Sequence, residues 1–127
     1  MNGTEKMRIE SGGDVGIGTN NPGSKLDVNG TFKLGANGTQ LNGILRSTTT
    51  RDIVNINAWT CRNEVFTVTN AITTGTAFVS PSSNLEDRLI IAAARVRAAS
   101  TVEVEFCNVS GAAINTVSRD YYVTVIQ

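Results

Sequence analysis

An all-β chain in two dissimilar parts is what the sequence predicts, on three observations. Short apolar segments alternate with polar residues or glycine, and helical periodicity is absent from the first part. Four Asn-Gly dipeptides fall within residues 1–43 and none later. From about Arg51 onward glycine becomes rare and the alternating segments lengthen.

The first part reads as very short strands between tight turns. Asn2-Gly3, Asn29-Gly30, Asn37-Gly38 and Asn42-Gly43 are turn signals, because both residue types tolerate positive φ. Between them, Met7 and Ile9, Val15 and Ile17, Leu26 and Val28, and Phe32 and Leu34 each place two apolar side chains on one strand face. Strands this short carry about two core residues apiece, and an isolated hairpin of that size is marginal in water. Four such pairs do not offset the ordering entropy of some ~40 residues. The regular alternation argues against disorder. The segment is therefore expected to share its core with copies of itself in a symmetric oligomer, those eight residues forming stacked apolar layers. The opening stretch from Met1 to Ile9 reads as the middle of a shaft rather than a natural start, so a fragment of a longer protein is expected.

In the second part, strands are expected over residues 53–58, 64–69, 76–79, 89–97, 102–106 and 121–126. Turn-like breaks at 70–75, 80–84 and 109–112 separate them, and Ser47-Thr-Thr-Thr50 is expected to be the hinge between the parts. Such spacing suggests an antiparallel sandwich or jelly-roll-like barrel. Residues 84–95 also carry helix signals, with an Asn cap candidate, early acids and alanines. Alternation through Arg95-Val96-Arg97 and Val102-Glu103-Val104-Glu105-Phe106 favours a hairpin instead. With residues 99–101 as its loop, Arg97 faces Glu103, Arg95 faces Glu105, and Val96 and Val104 share the other side. Cys61 and Cys107 do not make a disulfide framework; two small, half-buried thiols are the favoured reading, with a single pairing of the two as the alternative.

Composition narrows the chemistry. Basic and acidic residues balance at 11 each, giving no electrostatic footprint for nucleic acid. The longest apolar run, Leu89 to Ala94, is far short of the ~20 residues that span a bilayer, so no membrane insertion is expected. With no histidine in the chain, serine and cysteine triads and histidine–zinc sites are excluded. No metal, cofactor or catalytic residue is expected. Glu103 and Glu105 are the only arrangement that resembles a glycosidase carboxylate pair, and both are read as partners of arginine. The glycines from Gly13 to Gly18 lack the spacing and the lysine of a phosphate loop. They are read instead as sites of close strand approach. Asn37-Gly-Thr39 and Asn108-Val-Ser110 match the glycosylation triplet, a pattern short enough to arise by chance. The single tryptophan, Trp59, leaves two readings open: a core plug, or an exposed aromatic in a binding loop.

The segment from Met7 to Gly30, with its core Val15-Gly-Ile-Gly-Thr19, Pro22 and Lys25-Leu-Asp-Val-Asn-Gly30, resembles a shaft motif of phage tail fibres. It is also similar to one in the fibres of bacteria, predatory ones included, that use phage-type fibres as adhesins. Thr101 to Ile114 and Asp120 to Ile126 look like parts of the small knob domains of such proteins. The resemblance implies an intertwined homotrimeric β shaft over residues 1–50 and a β-sandwich tip over residues 51–127. It implies an extracellular fibre, on a virion tail or a bacterial surface, whose partner is a cell-surface glycan or envelope component. The contact residues expected for that role are Trp59, Arg62, Asn84, Asp87, Arg119 and Tyr122. A structural cap without a ligand, and a fibre-borne glycan hydrolase, are the competing expectations.

Overall fold

A computed structural model describes residues 5–127 and is all-β, with no helix among them. The stretch expected to be strand or helix, residues 84–95, enters a ten-residue strand at Leu89. The chain separates into two compact units, one ending at Gly43 and one beginning at Ile44.

The first unit holds β1 (Met7–Ile9), β2 (Val15–Ile17), β3 (Leu26–Val28), β4 (Phe32–Lys33) and β5 (Gln40–Leu41). β1 is antiparallel to β2, β2 runs parallel to β3, and β4 and β5 form a separate pair. Leu34, expected in the fourth strand, lies just beyond it. Polar residues of the Val15–Gly30 motif fasten the turns. Lys25 Nζ reaches Asp14 at 2.5 Å and the Gly12 carbonyl at 2.8 Å, while Asp27 accepts from the Gly23 N–H at 2.9 Å. Gly16 and Gly18 are positions of close approach. A Cβ on Gly16 would lie 2.6 Å from the Thr19 oxygen, and one on Gly18, at φ +71°, 2.7 Å from the Asn29 oxygen. The turns differ from the expected Asn-Gly pattern: no asparagine of those dipeptides has positive φ among the described residues, and only Gly30 of their glycines does. Asn2-Gly3 lies outside the described residues.

The second unit contains β6 (Ile44–Arg51), β7 (Cys61–Thr67), β8 (Thr76–Pro81), β9 (Leu89–Ala98), β10 (Thr101–Asn108) and β11 (Arg119–Ile126). They form two three-stranded antiparallel sheets, in the orders β6-β11-β8 and β7-β10-β9. β11 alternates strictly: Arg119, Tyr121, Val123 and Val125 are buried, and the residues between them are partly exposed. Tyr121 therefore points inward and Tyr122 outward. The Tyr121 ring meets Phe66 at 5.6 Å and Phe106 at 5.5 Å between centroids, joining the two sheets through one core.

Four expectations are corrected here. Ser47 to Thr50 is no hinge: the segment lies within β6, paired in register with Val123 back to Asp120 of β11. Residues 53–58 are not a strand, because Ile53 and Ile56 are buried three residues apart and make only a bridge from Ile56 to Ile114. The hairpin of β9 and β10 turns on two residues, Ala99 and Ser100, with a bulge after Thr101. This shifts the register, so Glu103 faces Arg95, Val102 faces Val96 and Glu105 faces Ala93. Both arginines then go to Glu103, Arg95 at 2.7 Å and Arg97 at 3.3 Å. Finally, Cys61 and Cys107 are cross-strand partners with Cα atoms 4.0 Å apart and form a disulfide. Closing a loop of that span contributes about 4 kcal/mol in the chain-entropy treatment.

Two predictions follow from this packing. Gly18→Ala, which forces a Cβ into both a left-handed φ and the Asn29 oxygen, is expected to destabilise the first unit by about 2 kcal/mol or more. Gly12→Ala, with open space around it, serves as the control in denaturant titrations. Burial holds the Tyr121 phenol above its ordinary value near 10, with surrounding carboxylates adding to the effect and Arg119 opposing it. The unfolded chain therefore loses this proton before the folded one does. Stability from this group is complete below about pH 10 and declines as pH rises toward the folded value. The urea midpoint is expected to fall less between pH 8 and pH 10.5 in Tyr121→Phe than in the parent, and equal declines would remove Tyr121 as the cause.

Candidate functional site

Strand direction gathers three long connections at one end of the second unit. Residues 52–60 join β6 to β7, residues 82–88 join β8 to β9, and residues 109–118 join β10 to β11. The opposite end holds Ile44, Ile126, the β9–β10 hairpin and the connection from β7 to β8.

Buried polar side chains knit the three loops. Asn108, 2% exposed, donates from Nδ2 to the carbonyls of Ala112 (2.7 Å), Ile56 (2.9 Å) and Asn57 (3.2 Å). Its Oδ1 accepts from the Ser110 N–H at 2.8 Å and from the Ser110 hydroxyl at 2.7 Å, an Asx-type turn. Thr116 accepts from the Ile53 N–H at 2.9 Å and donates back to the Ile53 carbonyl at 2.6 Å. Arg119 donates to the Asn84 carbonyl and pairs with Glu86, which in turn accepts from the Val117 N–H at 2.9 Å. The result is a loop surface with its own buried polar framework.

Two residues on that surface adopt left-handed backbone conformations rare for side chains of their size: Trp59 at φ 57° and Arg88 at φ 63°. Each is held by a neighbouring loop. The Trp59 N–H donates to the Ser110 carbonyl at 3.2 Å, and the Val109 N–H donates to the Arg88 carbonyl at 2.9 Å. The backbone therefore sets Trp59, Val109-Ser110 and Arg88 side by side. Trp59 is 71% exposed, so it is no core plug. Strain of this kind costs roughly 1–3 kcal/mol per residue and persists only where the surroundings enforce it.

The residues expected to contact a ligand fall into four groups. Trp59, Asn84 and Asp87 lie exposed on these loops. Arg62 is exposed at the start of β7, with its guanidinium on Glu64 at 2.6 Å. Arg119 is turned inward, 6% exposed and committed to Glu86, so its place is beneath the surface. Tyr122 lies elsewhere, on the outer face of the β6-β11-β8 sheet, with the Arg46 guanidinium 4.8 Å above its ring. A small open groove of about 200 Å³ lies over Glu103, Glu105, Asn63, Ala93 and Arg95. Glu103 there is already bound by two arginines. Arg88 was not singled out from the sequence, and Asn108 entered there only as part of a glycosylation triplet. An asparagine followed two residues later by serine, at the end of an alternating segment, was the available signal for Asn108. The Asn108 side chain is also buried, so the triplet presents no accessible asparagine.

Asn108→Ala strips three carbonyls and two serine donors of their partner, and a loss of about 2–4 kcal/mol is expected in denaturant titrations. Asn37→Ala, at an exposed turn, is expected to stay within about 0.5 kcal/mol of the parent.

No family model, no curated protein and no solved structure matches the chain.

Proposed function

We propose that the chain is the receptor-binding end of a trimeric, tail-fibre-like protein. Its first unit is a segment of homotrimeric β shaft, and its second is a β-sandwich tip that recognises a cell-surface glycan or envelope component. The observation that carries this reading is Trp59, 71% exposed and held in a left-handed conformation on loops fixed by the buried Asn108. An exposed, rigid aromatic offers an apolar face for sugar or protein at little entropic cost. Asp87 and Arg88, both exposed on the adjoining loop, add polar partners. Three copies on one axis give avidity without high single-site affinity. The disulfide is compatible with an extracellular setting, and no helix among the described residues is long and apolar enough to cross a membrane. The role is binding, with no catalytic step assigned to Glu103 or Glu105.

A capping role is favoured by a different observation. The outer face of the β6-β11-β8 sheet leaves Ile44 59% and Phe78 54% exposed, flanking Arg46 and Tyr122. That face suits contact with a neighbouring copy.

The test is binding of the intact protein to a glycan array and to whole bacterial cells, beside Trp59→Ala. At least a tenfold loss of binding is expected, with the thermal midpoint unchanged within about 2 °C, since the side chain is exposed. Binding that survives the substitution would move the site off these loops. Silence of the parent protein on every surface, with trimers lost in Phe78→Ser, would favour the cap.

A further inference from the structure

The first unit has an apolar face and no apolar interior. Among its described residues no apolar side chain is buried, and Met7, Ile9, Leu26 and Leu34 are 60%, 67%, 61% and 77% exposed. The registers of β1 with β2 and of β2 with β3 put Met7, Ile17 and Val28 in one row and Ile9, Val15 and Leu26 in the next. Cross-strand partners share a face, so these six side chains form one continuous apolar surface.

The two margins of that surface differ. On the β3 side it is hollowed into a groove of about 540 Å³, lined by Ile17, Leu26, Val28, Phe32 and Leu34 and by no charged residue. On the β1 side it ends in a ridge, because β1 is the edge strand and Met7 and Ile9 line no part of the groove. Arg8, between them, points to the other face. Its guanidinium is held by Glu5 at 2.6 Å and by the Asn20 carbonyl at 2.8 Å, so its charge is already paired and the ridge side chains themselves are Met7 and Ile9 alone. Within one chain the ridge cannot fold into the groove, because its register on β2 fixes it two strands away from Leu26 and Val28.

We infer that Met7 and Ile9 of one copy insert into the Ile17–Leu34 groove of the next copy. This rests on the self-association proposed above but differs from stacking of identical residues about an axis. The occupant is a second copy because ridge and groove are both uncharged, apolar and present once in every chain. A contact between two different surfaces is heterologous, and repeated around an axis it closes into a ring in which no ridge is left over. The ring also gives the unit the core it lacks, with Met7 and Ile9 buried as plugs.

The experiment places photoreactive benzoylphenylalanine at position 7 of the full chain, co-assembles isotopically heavy and light chains, and irradiates after light scattering has given the mass. Crosslinks between heavy and light chains that map to residues 26–34 are the expected result. The same probe at position 34 reads the contact from the other side and is expected to capture residues 7–9. Capture of position 7 by position 7, or capture only within a chain, overturns ridge-in-groove packing while leaving the trimer intact. A monomer by light scattering for the unsubstituted protein overturns the trimeric shaft as well.

Discussion

Tyr121 is the contact through which the two sheets of the second unit become one body. It sits near the start of β11, the central strand of its sheet, and meets Phe66 and Phe106 of the facing sheet at 5.6 and 5.5 Å. With sheets only three strands wide, the central strands alone have neighbours on both sides. They carry the strictest burial: Val102, Val104 and Phe106 on β10, and Tyr121, Val123 and Val125 on β11, are fully buried. Each aromatic contact adds about 0.5–1.5 kcal/mol beyond the area it buries. The loops inherit their geometry from this contact, because Asn108 ends β10 and Arg119 begins β11 at the same end of the body.

Charge is used differently at the two ends of that body. Near the loops, Arg119 and Glu86 lie inside, tying a strand start to a neighbouring connection. On the outer face of β10, Glu103 is 9% exposed while its partners Arg95 and Arg97 remain largely in solvent. A carboxylate covered by two arginines is sheltered without being stranded. The pairs also penalise slippage of the hairpin by a residue.

Strand existence was legible in the sequence wherever apolar alternation was strong: β1 to β3 and β8 to β11 lie where it predicts, and β7 overlaps the expected 64–69 but begins three residues earlier, at Cys61. Residues 47–50, which lie inside β6, were read as a hinge because Ser47 and Thr49 occupy the inward positions, where larger apolar residues are usual. Threonine's β preference was the better guide there. Residues 53–58 misled in the opposite direction, since Ile53 and Ile56 are core residues of a loop. Their spacing of three is inconsistent with a strand face. The disulfide was not legible, because it depends on which strand lies beside β7, a long-range choice that no local pattern records. The same reason hid the site. Trp59 stands out by type, but its neighbours Val109 and Arg88 come from connections 50 and 29 residues away along the chain.

The last strand pairs with the first of its unit so that Ile44 lies directly across from Ile126. The place where the chain arrives and the place where its final strand runs out are thus next to each other, and the three long connections are at the far end. Such an arrangement behaves as a cassette hung from a single hook. Insertions, deletions or wholesale exchange of the far loops leave the hook where it was. Sequence change can therefore accumulate at that end while the pairing of Ile44 with Ile126 stays as it is.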